Sequence, residues 1–259
     1  MKTGISTASL YLRQETEQAL VTIKNLGADC VEVFYNTFYE YRPEFSQKLD
    51  ANGIEVNSVH INTHQVEHSI FNPSRRVRGD AYYWLDQVMR SAQILGCKKY
   101  TFHGRVGKAG STPDIDVIGE YLRGAVEFCA RYGVSLCLEN VSWSTYYKPK
   151  IFSQLKERVP QLLGVFDIKQ AHRSGYPYKE YIEDMKGSIS HVHLSDMDKD
   201  GKLCLPGKGI YNFKEILTRL KDAGFDGSII IEVYKDDYGD IAELKTSLEY
   251  LNEIIYKIK

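Results

Sequence analysis

A strand pattern followed by a helix pattern recurs from end to end of this chain, and few folds accommodate that order. Period-two and short apolar runs mark strand candidates at 3–7, 29–35, 54–62, 98–103, 134–140, 163–168, 189–196 and 227–234. Helical spacing fills the intervals: in residues 15–27, Ala19, Ile23 and Leu26 recur on one face. Further helices are expected near 43–52, 76–95, 114–132, 151–158, 178–186, 212–223 and 240–257. Gly96 and Gly133 close two of them, as helix C-termini favour. Eight such units in 259 residues predict an α/β protein, a single (β/α)8 TIM barrel filling one domain, 1–259. No Pro/Ser/Gly-rich linker divides the chain. The competing architecture is a doubly wound open sheet. No strand-to-helix junction carries its G-x-G-x-x-G or a G-x-x-x-x-G-K-[ST] phosphate loop.

Charge and cysteine usage narrow the partners. A net charge of −1 gives no broad basic footprint for nucleic acid. The cluster Arg75, Arg76 and Arg78 reads as a solvated helix start. The first residues, MKTGISTASL, lack the apolar run of a signal peptide, and no stretch is long enough to span a membrane. The five cysteines are an odd number, dispersed, with no C-x-x-C. A reduced, cytoplasmic setting is expected, with no nucleic-acid or membrane partner.

In a barrel of this type the C-terminal strand ends face the active-site mouth. Alternation along each strand identifies the last inward side chain. It gives His60 on strand three, His103 at the end of strand four, Glu139 on strand five and Asp167 on strand six. Strand seven, ISHVHLSD, gives His193 with His191 one step deeper, and strand eight gives Glu232. A single carboxylate at a strand end reads equally well as a cap on the next helix. Carboxylate, carboxylate, imidazole and carboxylate on four consecutive strands do not. Three ionised carboxylates facing one axis would repel strongly, and a divalent cation removes most of that repulsion. The donor set, oxygen-rich with one imidazole, favours manganese, magnesium or cobalt over a closed structural zinc site, with an open zinc site as the further alternative.

These residues lie in CLENV (137–141), FDIKQAHRSG (166–175), HVHLSD (191–196), LPGKG (205–209) and IIIEV (229–233). In that order the motifs resemble the xylose isomerase-like TIM-barrel superfamily, and specifically its sugar phosphate isomerase/epimerase group. The resemblance implies that Glu139, Asp167, His193 and Glu232 hold one divalent metal ion, commonly manganese. It also implies that Glu139 and Glu232 serve as acid and base. His60 and His103 match positions that in relatives line the pocket or bind additional metal. Many relatives carry histidine where this chain has Gln170, and the related abasic-site endonucleases have an Asp-x-His pair that DMDKDGKLCLPGKG lacks. A trinuclear site and a DNA substrate therefore recede.

The chemistry expected is proton transfer beside a carbonyl of a sugar or sugar phosphate, through an enediolate, with two glutamates on one metal. Return of the proton to the same carbon gives an epimer, to its neighbour an isomer. Loss of a β-hydroxyl instead gives a dehydratase acting on a keto-inositol or 3-keto sugar. A barrel that binds sugar without turning it over is the alternative outside enzymes. His60, His103, Gln170, Asp196 and Lys202 are the candidate substrate contacts. His191 is expected to orient a ligand, and Glu32 either reaches the mouth or pairs with a lysine. Trp143 to Lys150 (WSTYYKPK) forms a candidate aromatic wall, and LPGKG either binds an anion or only shapes a turn. The reach of His172 and assembly into a homo-oligomer stay open.

Overall fold

Parallel strands sheathed by helices are buried on both faces, so they read as nearly continuous apolar runs. The computed structural model describes residues 1–107 and 112–258. Strands β1 (Lys2–Ser6), β2 (Cys30–Tyr35), β3 (Glu55–Ile61), β4 (Lys99–Phe102), β5 (Ser135–Glu139), β6 (Leu163–Asp167) and β7 (Ile189–Leu194) run side by side. After β7 the short strands β8 (Asp196–Met197) and β9 (Leu203–Cys204) pair antiparallel. Strand β10 (Ser228–Ile231) then joins β7 to β1 in parallel and closes the barrel.

The helices are α1 (Thr16–Asn25), α2 (Pro43–Ser46), α3 (His64–Ser69), α4 (Arg75–Ile94) and α5 (Ile115–Ala130) in the first half of the chain. They continue as α6 (Ile151–Arg158), α7 (Ile168–Arg173), α8 (Tyr178–Asp184), α9 (Phe213–Asp222) and α10 (Ala242–Lys257). The architecture is the expected (β/α)8 barrel. No described helix is long and apolar enough to cross a membrane.

Several boundaries differ from the sequence expectation. The helix expected over 43–52 ends at Ser46 and continues as tight turns, with Lys48 N–H donating to Phe45 O and Leu49 N–H to Ser46 O. The side chain of Asp50 then takes the N–H of Asn52, which stops the coil. Helices α3 and α7 lie where no helix was expected. The strand expected over 189–196 ends at Leu194, and Asp196 belongs to the hairpin.

Register does the positioning. Asp167 lies beside His193 across the β6–β7 pair, and His193 lies beside Ile230 across β7–β10. Two residues past Ile230, Glu232 donates its N–H to Leu194 O at 3.1 Å, which carries the β10 direction one step beyond the strand.

Strand β1 comes closest to its neighbours at Gly4. A Cβ there would lie 2.5 Å from Cys30 O and 2.9 Å from Ile230 Cδ1, so only glycine fits. Gly4→Ala is expected to destabilise the barrel by about 1–3 kcal/mol through overpacking. The thermal midpoint should fall roughly 2–4 °C for each kcal/mol lost; an unchanged midpoint would contradict this close packing.

Candidate active site

Four strand ends converge at the mouth. Glu139 is the last residue of β5, Asp167 the last of β6, His193 the next to last of β7, and Glu232 follows β10. One donor atom from each lies within 4.8 Å of the others, and all four residues are buried. His193 Nδ1 is 3.0 Å from Glu139 Oε1, 3.5 Å from Glu232 Oε2 and 4.0 Å from Asp167 Oδ2. Asp167 has two functions. Its Oδ1 caps α7 by accepting from Gln170 N–H at 2.9 Å, while Oδ2 faces the other three groups. Asn140 fixes the same strand end, accepting from Asp167 N–H at 2.7 Å and donating to Asp167 O at 2.8 Å.

Beneath this ring lies Glu32, fully buried in the barrel. Its Oε2 accepts from Ser58 Oγ and Thr101 Oγ1, both at 2.8 Å, and sits 3.1 Å from His193 Nε2. Neither sequence alternative holds for Glu32: it is below the mouth, and its partners are hydroxyls and imidazoles. By accepting a hydrogen bond from Nε2–H, Glu32 leaves Nδ1 of His193 facing the ring. Burial alone would raise the Glu32 carboxyl, yet His193, His191 and His60 around it hold it well below the usual range. Burial would lower His193, and Glu32, Glu232 and Glu139 reverse that, holding it well above an ordinary histidine. His191 meets Thr101 Oγ1 at 2.9 Å, and burial drives it down to about 4, so it stays neutral. It touches Glu32 and Thr101 rather than a ring carboxylate.

The three ring carboxylates respond differently to burial: it penalises Glu139, but His193 and His103 hold that carboxyl below the usual range. Burial pushes Asp167 up to about 7, helped by Glu139 and Glu232 and opposed by Lys169. Burial also penalises Glu232, but Lys169 and His193 hold it well below the usual range. Asp167 Oδ2 is buried and receives no hydrogen bond of acceptable geometry among the described residues; Lys169 Nζ is 3.2 Å away. An under-bonded carboxylate oxygen, two more carboxylates and an oriented imidazole nitrogen fit a divalent cation. These residues could hold one ion.

A cavity of about 570 Å3 opens onto the ring, with Glu139 and Glu232 in its wall. His60, His103 and Gln170 line it too. His60 Nε2 and His103 Nε2 are 2.8 Å apart, and with Glu139 they form a second grouping of metal-ligand type. Burial would lower His103, but Glu67, 3.0 Å from its Nδ1, and Glu139 raise it to about 8. Of the expected aromatic wall only Trp143 reaches the cavity, its ring 5.2 Å from that of His103. Tyr146 is buried behind it and bonds Asp184.

Asp196 and Lys202 are not in the cavity wall. Asp196 is fully buried and accepts from the N–H groups of Met197, Gly207, Gly209 and Tyr211. The amides of LPGKG therefore close on an internal carboxylate instead of an external anion. Lys202 is exposed beside the β8–β9 turn. His172 is also exposed and meets the Tyr211 hydroxyl at 3.4 Å. Among the cavity residues that escaped the sequence reading are Lys169 and Arg173, one helical turn apart on α7, and Tyr234 beside them. The available signal for Lys169 was its setting between Ile168 and Ala171, directly after a strand-end carboxylate.

Comparison with known proteins places this geometry. Residues 20–254 match the family described as xylose isomerase-like TIM barrel. The chain belongs to that family. Among solved members of this fold, a D-tagatose 3-epimerase-like protein superposes with a TM-score of 0.80 at 23% identity, covering 100% of this chain and 98% of that one. D-psicose 3-epimerase from Clostridium cellulolyticum H10, solved with D-tagatose, gives 0.77 at 17% identity, covering 98% of this chain and 99% of that one. The 3-keto-D-glucoside 4-epimerase of E. coli gives 0.76 at 17% identity, again covering 98% and 99%. At these identities the likeness is one of fold. An uncharacterized protein of Methanocaldococcus jannaschii is 32% identical over 139 residues, which are 49% of this chain and 47% of that protein. The match thus spans about half of that relative.

Asp196 gives this xylose isomerase-like barrel a testable dependence outside the cavity. Asp196→Ala removes the acceptor of four backbone donors, and the loss is expected to reach about 3 kcal/mol or more. Chemical denaturation should show it as a lower midpoint, together with faster proteolysis within 205–211. Wild-type values for both would contradict the clamp.

Proposed function

We propose that this chain is a divalent-metal-dependent sugar or sugar phosphate isomerase or epimerase. Two glutamates from different arcs of the rim, both in one cavity wall and both in the ring, carry this reading. Glu139, Asp167, His193 and Glu232 would hold the ion, with manganese the best match to the donor set. An ion held there supplies Lewis acidity at a carbonyl and its neighbouring hydroxyl. The named activities of the epimerases that share the fold, and a net charge of only −1, support a small carbohydrate substrate, and five free, dispersed cysteines fit a reduced, cytoplasmic setting.

The protein's own groups then divide the work. Glu232, whose carboxyl Lys169 and His193 hold well below the usual range before an ion enters, is suited to remove the proton beside the carbonyl. Glu139 reaches the same cavity from the other side as the second acid–base group, its carboxyl, despite burial, held below the usual range by His193 and His103, so that it can take a proton from one face and return it there. His60, His103 and Gln170 are placed to hold substrate oxygens. Gln170 is itself oriented, its Oε1 accepting from Ser142 N–H at 3.2 Å and Ser142 Oγ at 3.0 Å. Trp143 offers an apolar face that keeps water from the carbon being deprotonated.

Manganese-loaded protein incubated with a panel of ketoses and ketose phosphates in D2O tests the reading. Deuterium at the α-carbon of an epimeric or isomeric product is the expected result. Glu139→Gln and Glu232→Gln should each slow exchange at least about 100-fold, the lower range of general acid–base effects. Wild-type-like exchange in either variant would rule out the two-glutamate scheme. Loss of water would mark a lyase, and no exchange with any sugar would leave a binding protein.

A further inference from the structure

A ring suited to hold a divalent ion already contains a cation of its own. The Lys169 side chain is almost wholly buried, and Nζ lies 2.5 Å from Glu232 Oε2 and 3.2 Å from Asp167 Oδ2. The same two oxygens face His193 Nδ1, at 3.5 and 4.0 Å, in the ring of four residues. On its other side the ammonium stands 4.9 Å from the centre of the Tyr234 ring, which also lines the cavity. Backbone geometry fixes the placement: Asp167 caps α7, and Lys169 is the second residue of the helix that this cap starts. An ammonium directed at two ligand oxygens and a divalent ion directed at the same two repel each other at short range in a poorly solvated site.

We propose that Lys169 is a built-in counter-cation that competes with the metal: it holds Asp167 and Glu232 in ligand geometry before an ion binds, and an entering ion must displace it from those oxygens. The proposal rests on the reading of the ring as a metal site. The three ring carboxylates and one divalent ion sum to −1 with His193 neutral, the Lys169 ammonium brings that to zero, and buried Glu32 below adds −1 to either count; the ammonium thus removes one unit of the negative charge that would grip the ion. The expected behaviour is weak, readily exchanged metal and a barrel mouth that keeps its shape without metal. The displaced ammonium has the Tyr234 side of the cavity to occupy, within reach of a bound substrate's oxygens.

The test is Mn2+ binding to the chelator-stripped full chain, followed by calorimetry and by loss of the free-ion electron paramagnetic resonance signal. Lys169→Met and Lys169→Gln should each bind Mn2+ roughly tenfold tighter or more than wild type, since a nearby like charge is removed. Both stripped variants should melt below stripped wild type, because two carboxylates lose their partner. Arg173→Gln removes a cation that is exposed in the same cavity wall and should leave the affinity within about twofold of wild type, as expected where solvent screens the charge. Equal or weaker binding in the Met and Gln variants, or equal tightening by Arg173→Gln, would overturn the role of Lys169. No binding of Mn2+, Mg2+, Co2+ or Zn2+ by wild type or any variant would overturn the metal reading and this proposal together.

Discussion

Three carboxylates and one imidazole crowd together at the mouth of this barrel with almost no contact with water. Burying that much like charge is unfavourable unless cations and donors surround it. The neighbouring structure can be understood as compensation. His193 is held between Glu32 below and Glu139 beside it. Lys169 bridges Glu232 and Asp167 from the cavity side. Asn140 pins the backbone of Asp167 from both its N–H and its carbonyl. A divalent ion is the remaining member that this arrangement best fits, and the proposed chemistry depends on it.

The barrel turns a one-dimensional pattern into that ring. Parallel register sets Asp167 next to His193, and strand alternation turns both toward the axis. Helix starts then reuse the same residues, as Asp167 shows by capping α7 with one oxygen and facing the ring with the other. Two readings that compete in the sequence, helix cap and ligand, are thus compatible in space. The rim adds a hairpin tied to Asp196, Trp143 in the cavity wall, and the basic side chains of α7.

Positions that obey a period were legible in the sequence. The alternation of β5, β6, β7 and the β10 segment predicts the inward face of Glu139, Asp167, His193 and Glu232, and the structure brings the four together. The order of strands and helices predicts the closed barrel for the same reason. What escaped were contacts that no period encodes. Asp196 looks like a free loop acid until the chain of 205–211 folds back and presents its amides. Lys169 stands in a segment where no helix was expected, and only the Asp167 cap, by starting α7, aims it across the mouth. Glu32 looks like a lysine partner until the barrel closes and hydroxyls and imidazoles reach it from β3, β4 and β7.

The central claim is that these strand ends share one divalent ion, and anomalous diffraction at the manganese edge from crystals soaked in Mn2+ addresses it directly. The account predicts one strong peak bonded at about 2–2.6 Å, the range for such ions, to Glu139, Asp167 Oδ2, His193 Nδ1 and Glu232. A map with no peak there, or a peak held by His60 and His103 without Asp167, would contradict it.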